Sequence, residues 1–122
     1  MHRLIGLMAI MTLLLTACTP SEKVYTAGTY KGIAEGYHSL LVVAVTTSEY
    51  EITEIEILEE DETPIIAEIV YDEIPSAVIK ANSTDVDVVA GATYTSSTLL
   101  EAIEDGLSKA RIENNTTSDE KR

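Results

Sequence analysis

Residues 87 to 98, DVVAGATYTSST, set one acid, a glycine between two alanines and six hydroxyl side chains into twelve positions. The chemistry such a stretch offers is anion binding. Thr93, Thr95 and Ser96 present hydroxyls, while Gly91 lets the backbone approach a ligand closely or take a positive φ angle. If a helix begins just beyond, its first N–H groups lack intrahelical partners and carry the positive end of the dipole, which makes the junction an anion site. A plainer reading stands beside this one: Thr95 to Thr98 cap the helix and Gly91 makes a turn.

The elements that must position this stretch are legible in the periodicity. GTYKGIAEGYHSLLVVAVTTSEYEITEIEILEE is rich in β-branched and aromatic residues and predicts three antiparallel strands, near 28 to 36, 39 to 46 and 51 to 59. The middle run LLVVAV is apolar on both faces and belongs at the centre. Glu54 and Glu56 alternate with Ile55 and Ile57, as on a sheet with one solvated side. The connection TTSEY lacks an Asn-Gly turn and predicts a loop longer than two residues. Pro64 is placed to open a short helix over 65 to 70, and Pro75 to open another that carries Val78 and Ile79. In the last segment Leu99, Leu100, Ile103, Leu107 and Ala110 share one helical face, and Thr98 with Glu101 has capping-box spacing, predicting a helix from 96 to 112. The expected fold class is α+β: a small antiparallel sheet of three to four strands packed against two or three helices, the C-terminal one amphipathic.

The chain opens MHRLIGLMAIMTLLLTAC, where Arg3 precedes an apolar run from Leu4 to Leu15. That run is too short for the about 20 residues a spanning helix needs and reads as a signal peptide, residues 1 to 17. Leu15-Thr16-Ala17-Cys18 has the form of a lipobox, in which the cysteine is acylated. Cys18 is the sole cysteine, so no intramolecular disulfide can form, and lipidation accounts for it. Residues 18 to 26 then form the lipidated cysteine and a tether whose eight residues, 19 to 26, reach at most about 29 Å, residues 27 to 112 the domain, and residues 113 to 122 a polar tail. The expected location is the extracytoplasmic face of a bacterial membrane.

Cleavage after residue 17 removes Arg3 and no acid, moving the formal charge from −13 to −14. So acidic a domain has no basic patch for nucleic acid, and an anionic membrane surface would repel it. A hydrolase needs a nucleophile with a positioned base. The domain has one histidine, His38, in a hairpin region far in sequence from Thr93, and it reads as a solvated turn residue. Glu59 to Glu62 and the pair Asp85 and Asp87 lack calcium-loop spacing, so no metal site is expected.

Asp87-Val88-Val89-Ala90-Gly91-Ala92-Thr93 closely resembles the flavinylation motif of the FMN-binding domain family: aspartate, two variable residues, serine or threonine, then Gly-Ala-Thr. That family includes the C subunit of sodium-translocating NADH:quinone reductase, the G subunit of the Rnf complex and many small lipoproteins. The resemblance continues through YTSSTLLEAIEDGL and upstream through AGTYKGIAEGY and ITEIEILEEDET, covering roughly residues 27 to 110. It implies FMN joined to Thr93 by a phosphoester bond, with Asp87 as the acid that the flavin transferase requires. Gly91 and Ala92 would be the small residues that let Thr93 enter the transferase. Tyr94, Tyr30, Tyr37 and Tyr71 are candidates for stacking on the flavin ring, and Glu62 and Thr63 match a family position near it. Ala90 stands where the family has serine or threonine.

The function so implied is a membrane-anchored electron carrier rather than an enzyme with its own substrate, served by a membrane redox partner such as a quinone-linked dehydrogenase or a multisubunit electron-transfer complex. The alternatives are a non-covalent FMN binder or redox-inactive lipoprotein of the same fold, and a surface lipoprotein of another class.

Overall fold

The computed structural model describes residues 22–62 and 64–112. Cys18 and the leader, Thr63, and the tail from residue 113 lie outside the described residues. Three strands, β1 (Gly28–Glu35), β2 (Leu40–Thr47) and β3 (Ile52–Glu59), form an antiparallel sheet in the order β1-β2-β3. Two helices follow, α1 (Pro64–Ala81) and α2 (Thr93–Ala110). This is the α+β architecture expected from the periodicity, with β2 central as its apolar composition requires.

Register gives the sheet one covered face. Tyr30, Gly32 and Ala34 lie opposite Val45, Val43 and Leu41, and Val43 and Val45 pair in turn with Ile57 and Ile55. Helix α2 lies against β1 and β2, while α1 packs on β3 and α2. Val43, Val45, Leu99, Ile103 and Leu107 are fully buried in this layer. Burying a side chain of this kind contributes about 1.5–3 kcal/mol relative to exposure.

Two glycines allow the helix to lie so close. A Cβ on Gly32 would sit 1.9 Å from the carbonyl oxygen of Ala102 and 2.6 Å from the amide of Gly106. The helix backbone therefore rests directly on the β1 backbone. Asp105 uses the same proximity to accept the Ile33 N–H at 3.0 Å, and Lys109 donates to the Lys31 carbonyl at 2.6 Å.

The prediction of two short helices after β3 is corrected: Pro75 lies inside a single continuous α1. Ala67, Val70, Ile74, Pro75 and Val78 form one uninterrupted buried stripe, and its burial offsets the hydrogen bond that proline removes. Asn82 ends this helix at φ 55, with its amide and that of Ser83 closing on Ile79 and Val78 carbonyls. Its side chain accepts from Ile52 N–H at 2.8 Å and donates to the Tyr50 carbonyl at 3.0 Å, fixing the four-residue β2–β3 loop.

The segment read as a tether docks before it reaches β1. Tyr25 is buried, and the amides of Tyr25, Thr26 and Ile112 bond to Glu49, Ala110 and Val24 carbonyls.

Candidate functional site

The hydroxyl-rich stretch is a tight turn running straight into α2. Ala92 N–H donates to the Val89 carbonyl at 2.9 Å, and Gly91 takes φ 84, the pattern of a type II turn with glycine at its third position. A Cβ on Gly91 would meet nothing within 4 Å. Conformation, not space, therefore requires glycine here. Ala90, the departure from the family pattern, is exposed on this turn.

Helix α2 begins at Thr93, three residues earlier than its sequence signals predict. The capping box read at Thr98 and Glu101 is corrected too, since Thr98 lies inside the helix and donates to the Tyr94 carbonyl at 3.0 Å. The N-cap is Ala92, with no side-chain cap. The turn, rather than a capping side chain, sets where the helix starts. The first intrahelical bond runs from Ser96 N–H to the Ala92 carbonyl at 3.0 Å. The amides of Thr93, Tyr94 and Thr95 therefore have no intrahelical acceptor. Thr93, which the motif placed on a loop ahead of the helix, is the first helical residue and is exposed.

The neighbouring hydroxyls are engaged within the protein. Ser96 is fully buried, and its Oγ accepts the Val89 N–H at 3.0 Å, pinning the turn to the helix. Thr95 is buried and donates to Glu62 Oε1 at 3.2 Å. The other oxygen of Glu62 accepts the Tyr37 N–H at 3.1 Å. Buried at 7 % exposure, this carboxylate ties the β1–β2 turn to the start of α2. Gly36 makes room for it, because a Cβ there would lie 2.5 Å from Glu62 Oε2. The Gly36-Tyr37 pair and Glu62, separate in sequence, are thus one local structure.

Above this clasp the rings of Tyr37 and Tyr94 meet, with centroids 4.2 Å apart and planes 31° from parallel, and His38 lies 6.1 Å beyond Tyr37. Tyr37, His38, Ile66 and residues 91 to 95 line an open cavity of about 430 Å³, within the usual range for small-molecule sites. Sequence distance hid His38 and Ile66. The signal that could have found His38 was its place directly after Gly36-Tyr37.

The remaining candidates fall elsewhere. Tyr30 donates to the Thr26 carbonyl at 2.7 Å and packs against the core. Tyr71 donates to Glu60 Oε1 at 3.3 Å, and burial together with the Glu60 and Glu62 carboxylates pushes its phenol far above the ordinary value. Neither ring lines the cavity beside Thr93. Asp87 is exposed and faces a second cavity with Glu73 and Asp85 on the α1 side of the turn.

Comparison with known proteins places the sequence in a family. The model of a family described as FMN-binding domain matches residues 36–108. An uncharacterized protein of Treponema pallidum (strain Nichols) is 32% identical over 87 residues, covering 71% of this chain and 24% of that protein. NADH:acrylate oxidoreductase of Vibrio harveyi is 31% identical over 86 residues, covering 70% of this chain and 8% of that protein. The chain thus spans about a quarter of the first relative's length and less than a tenth of the second's.

Proposed function

The chain belongs to the FMN-binding domain family, and on that premise we propose that it carries electrons on FMN esterified to Thr93, tethered through lipidated Cys18 to the outer face of a bacterial membrane. The observation that carries this reading is the exposure of Thr93 at the first position of an uncapped helix, with three amides lacking helical partners. A phosphate attached there is favoured by those N–H groups and by the helix dipole. The other described residues fit the same group. Tyr37 and Tyr94 offer aromatic faces to a flat ring, Ile66 an apolar wall, and the cavity lining includes no carboxylate.

FMN, when bound, supplies one- and two-electron chemistry, and the protein's part is to place and tune it. Gly91 sets the turn that projects Thr93, Ser96 holds that turn to the helix, and Glu62 keeps the Tyr37 turn against Thr95. Asp87 stands apart on an exposed segment, where a flavin transferase can reach it during maturation. In the Vibrio harveyi relative the matching stretch is a small part of an oxidoreductase. That arrangement suits a module that delivers electrons to chemistry done elsewhere, here by a membrane dehydrogenase or a multisubunit complex.

The test is the intact mass and in-gel flavin fluorescence of the domain expressed with and without a flavin transferase. A transferase-dependent gain of one FMN less a water, mapped to the peptide holding Thr93, is expected. Thr93→Ala should abolish it while leaving thermal melting unchanged, since the side chain is exposed. A Thr93→Ala protein that still carries covalent flavin would show that another hydroxyl is the acceptor. An unmodified wild type beside a modified control substrate would favour non-covalent binding.

A further inference from the structure

The chain has 21 acidic residues, yet the cavity beside Thr93 is lined without one. Two other cavities carry Glu73, Asp85 and Asp87, or Glu60, Glu62 and Glu68. In the lining of the Thr93 cavity, His38 is the one described side chain able to carry a positive charge near neutral pH. The β1–β2 turn brings it there from more than fifty positions away in sequence, and the Glu62 bond to Tyr37 N–H holds that turn in place.

We propose that His38 is a charge partner of the cofactor: a positive charge on its imidazole, held in the lining beside Thr93, favours the reduced form of the flavin. The inference rests on the FMN reading above. Two electrons from the reductant and one proton from solvent leave the ring with one more negative charge than before. A cation lining the same cavity stabilises that charge. By reciprocity, reduction draws a proton from solvent onto His38.

The other titratable groups around His38 are Glu35 and Tyr37 on its own turn, Tyr94 from α2, and Glu62 beneath the turn, while α1 contributes only Ile66 to the cavity. All of them are retained in His38 variants, so a comparison isolates the imidazole.

The experiment loads wild type, His38→Gln and His38→Lys with FMN by co-expression with a flavin transferase, and first measures flavin content. Reduction potentials are then taken by dithionite titration against a reference dye from about pH 5.5 to 9. Near neutral pH, where the reduced ring can hold its negative charge and an imidazole its positive one, the wild-type equilibrium should favour reduction by up to about tenfold more than that of His38→Gln, or about 30 mV for a two-electron couple. The two should converge at the alkaline end, where an imidazole is neutral, whereas His38→Lys should keep the offset there. Fully loaded His38→Gln that tracks wild type at every pH would overturn the proposal, as would loss of flavin from both variants, which marks a steric role. Wild type that takes up no flavin would instead sink the FMN reading itself.

Discussion

A carboxylate buried at 7 % exposure needs donors, and Glu62 has two, the Tyr37 amide and the Thr95 hydroxyl. This residue shows how chemistry and geometry are shared at the site, because neither donor is near it in sequence. Glu62→Ala leaves a part-buried amide without an acceptor, which costs about 1–3 kcal/mol. Glu62→Gln keeps one acceptor for Tyr37 and can donate to a rotated Thr95 hydroxyl. Thermal melts should therefore rank wild type and Gln close together with Ala clearly below, by several degrees. An alanine variant as stable as wild type would mean that the clasp contributes nothing to stability. Thr93 behaves oppositely: exposed and uninvolved in packing, it is free to be modified or replaced.

Between elements, the closest approach is α2 on β1, and it belongs to Gly32 rather than to any apolar pair. Gly32→Ala drives a Cβ into the carbonyl of Ala102 and the amide of Gly106, backbone atoms that cannot swing aside. The helix must lift, and a destabilisation of about 3 kcal/mol, the upper end of overpacking, is expected. Gly106→Ala is the milder comparison. A Cβ there would lie 3.0 Å from a Val45 methyl, 3.2 Å from the Tyr30 carbonyl oxygen and 3.3 Å from the Gly32 amide nitrogen, a tightness partly offset by the about 1 kcal/mol of helix propensity that alanine gains. Chemical denaturation should show the first variant far less stable than the second, and equal midpoints would sink this account of the crossing.

Across the molecule, acidity dominates, and the described acids mostly face solvent. Glu104 is half-exposed yet tied into the fold. Its carboxylate binds the Arg111 guanidinium and accepts the Thr84 hydroxyl at 2.8 Å, joining the loop after α1 to the end of α2. The Arg111 hydrogen bond holds it below its ordinary value of 4.5. A depressed carboxylate contributes stability that is complete above the unfolded value and is lost as pH falls through the folded one. Both side chains are 43% exposed, so solvent screening limits the contribution to less than about 1 kcal/mol. Glu104→Gln should melt slightly below wild type at pH 7, and the gap should close as pH falls below 4.5. A gap that persists in strong acid would point to lost packing instead. Among the described residues no helix is long and apolar enough to cross a membrane.

Much was legible without coordinates because it depends on local pattern. Alternation placed three strands, the apolar LLVVAV run put β2 in the middle, and the spacing of Leu99, Ile103, Leu107 and Ala110 identified the buried face of α2. The Gly-Ala-Thr motif located the turn ahead of that helix. What periodicity could not fix were the boundaries set by competition between local signals and packing. Pro75 reads as a helix opener yet sits inside α1, because the buried stripe continues through it. Thr98 reads as a cap yet lies in the second turn of α2, because the Gly91 turn starts the helix at Thr93. The company that Thr93 keeps was beyond sequence altogether. Tyr37, His38 and Ile66 reach its cavity only because the helix rests on Gly32 and Glu62 joins two distant turns, and contacts between such separated segments are decided by packing in three dimensions.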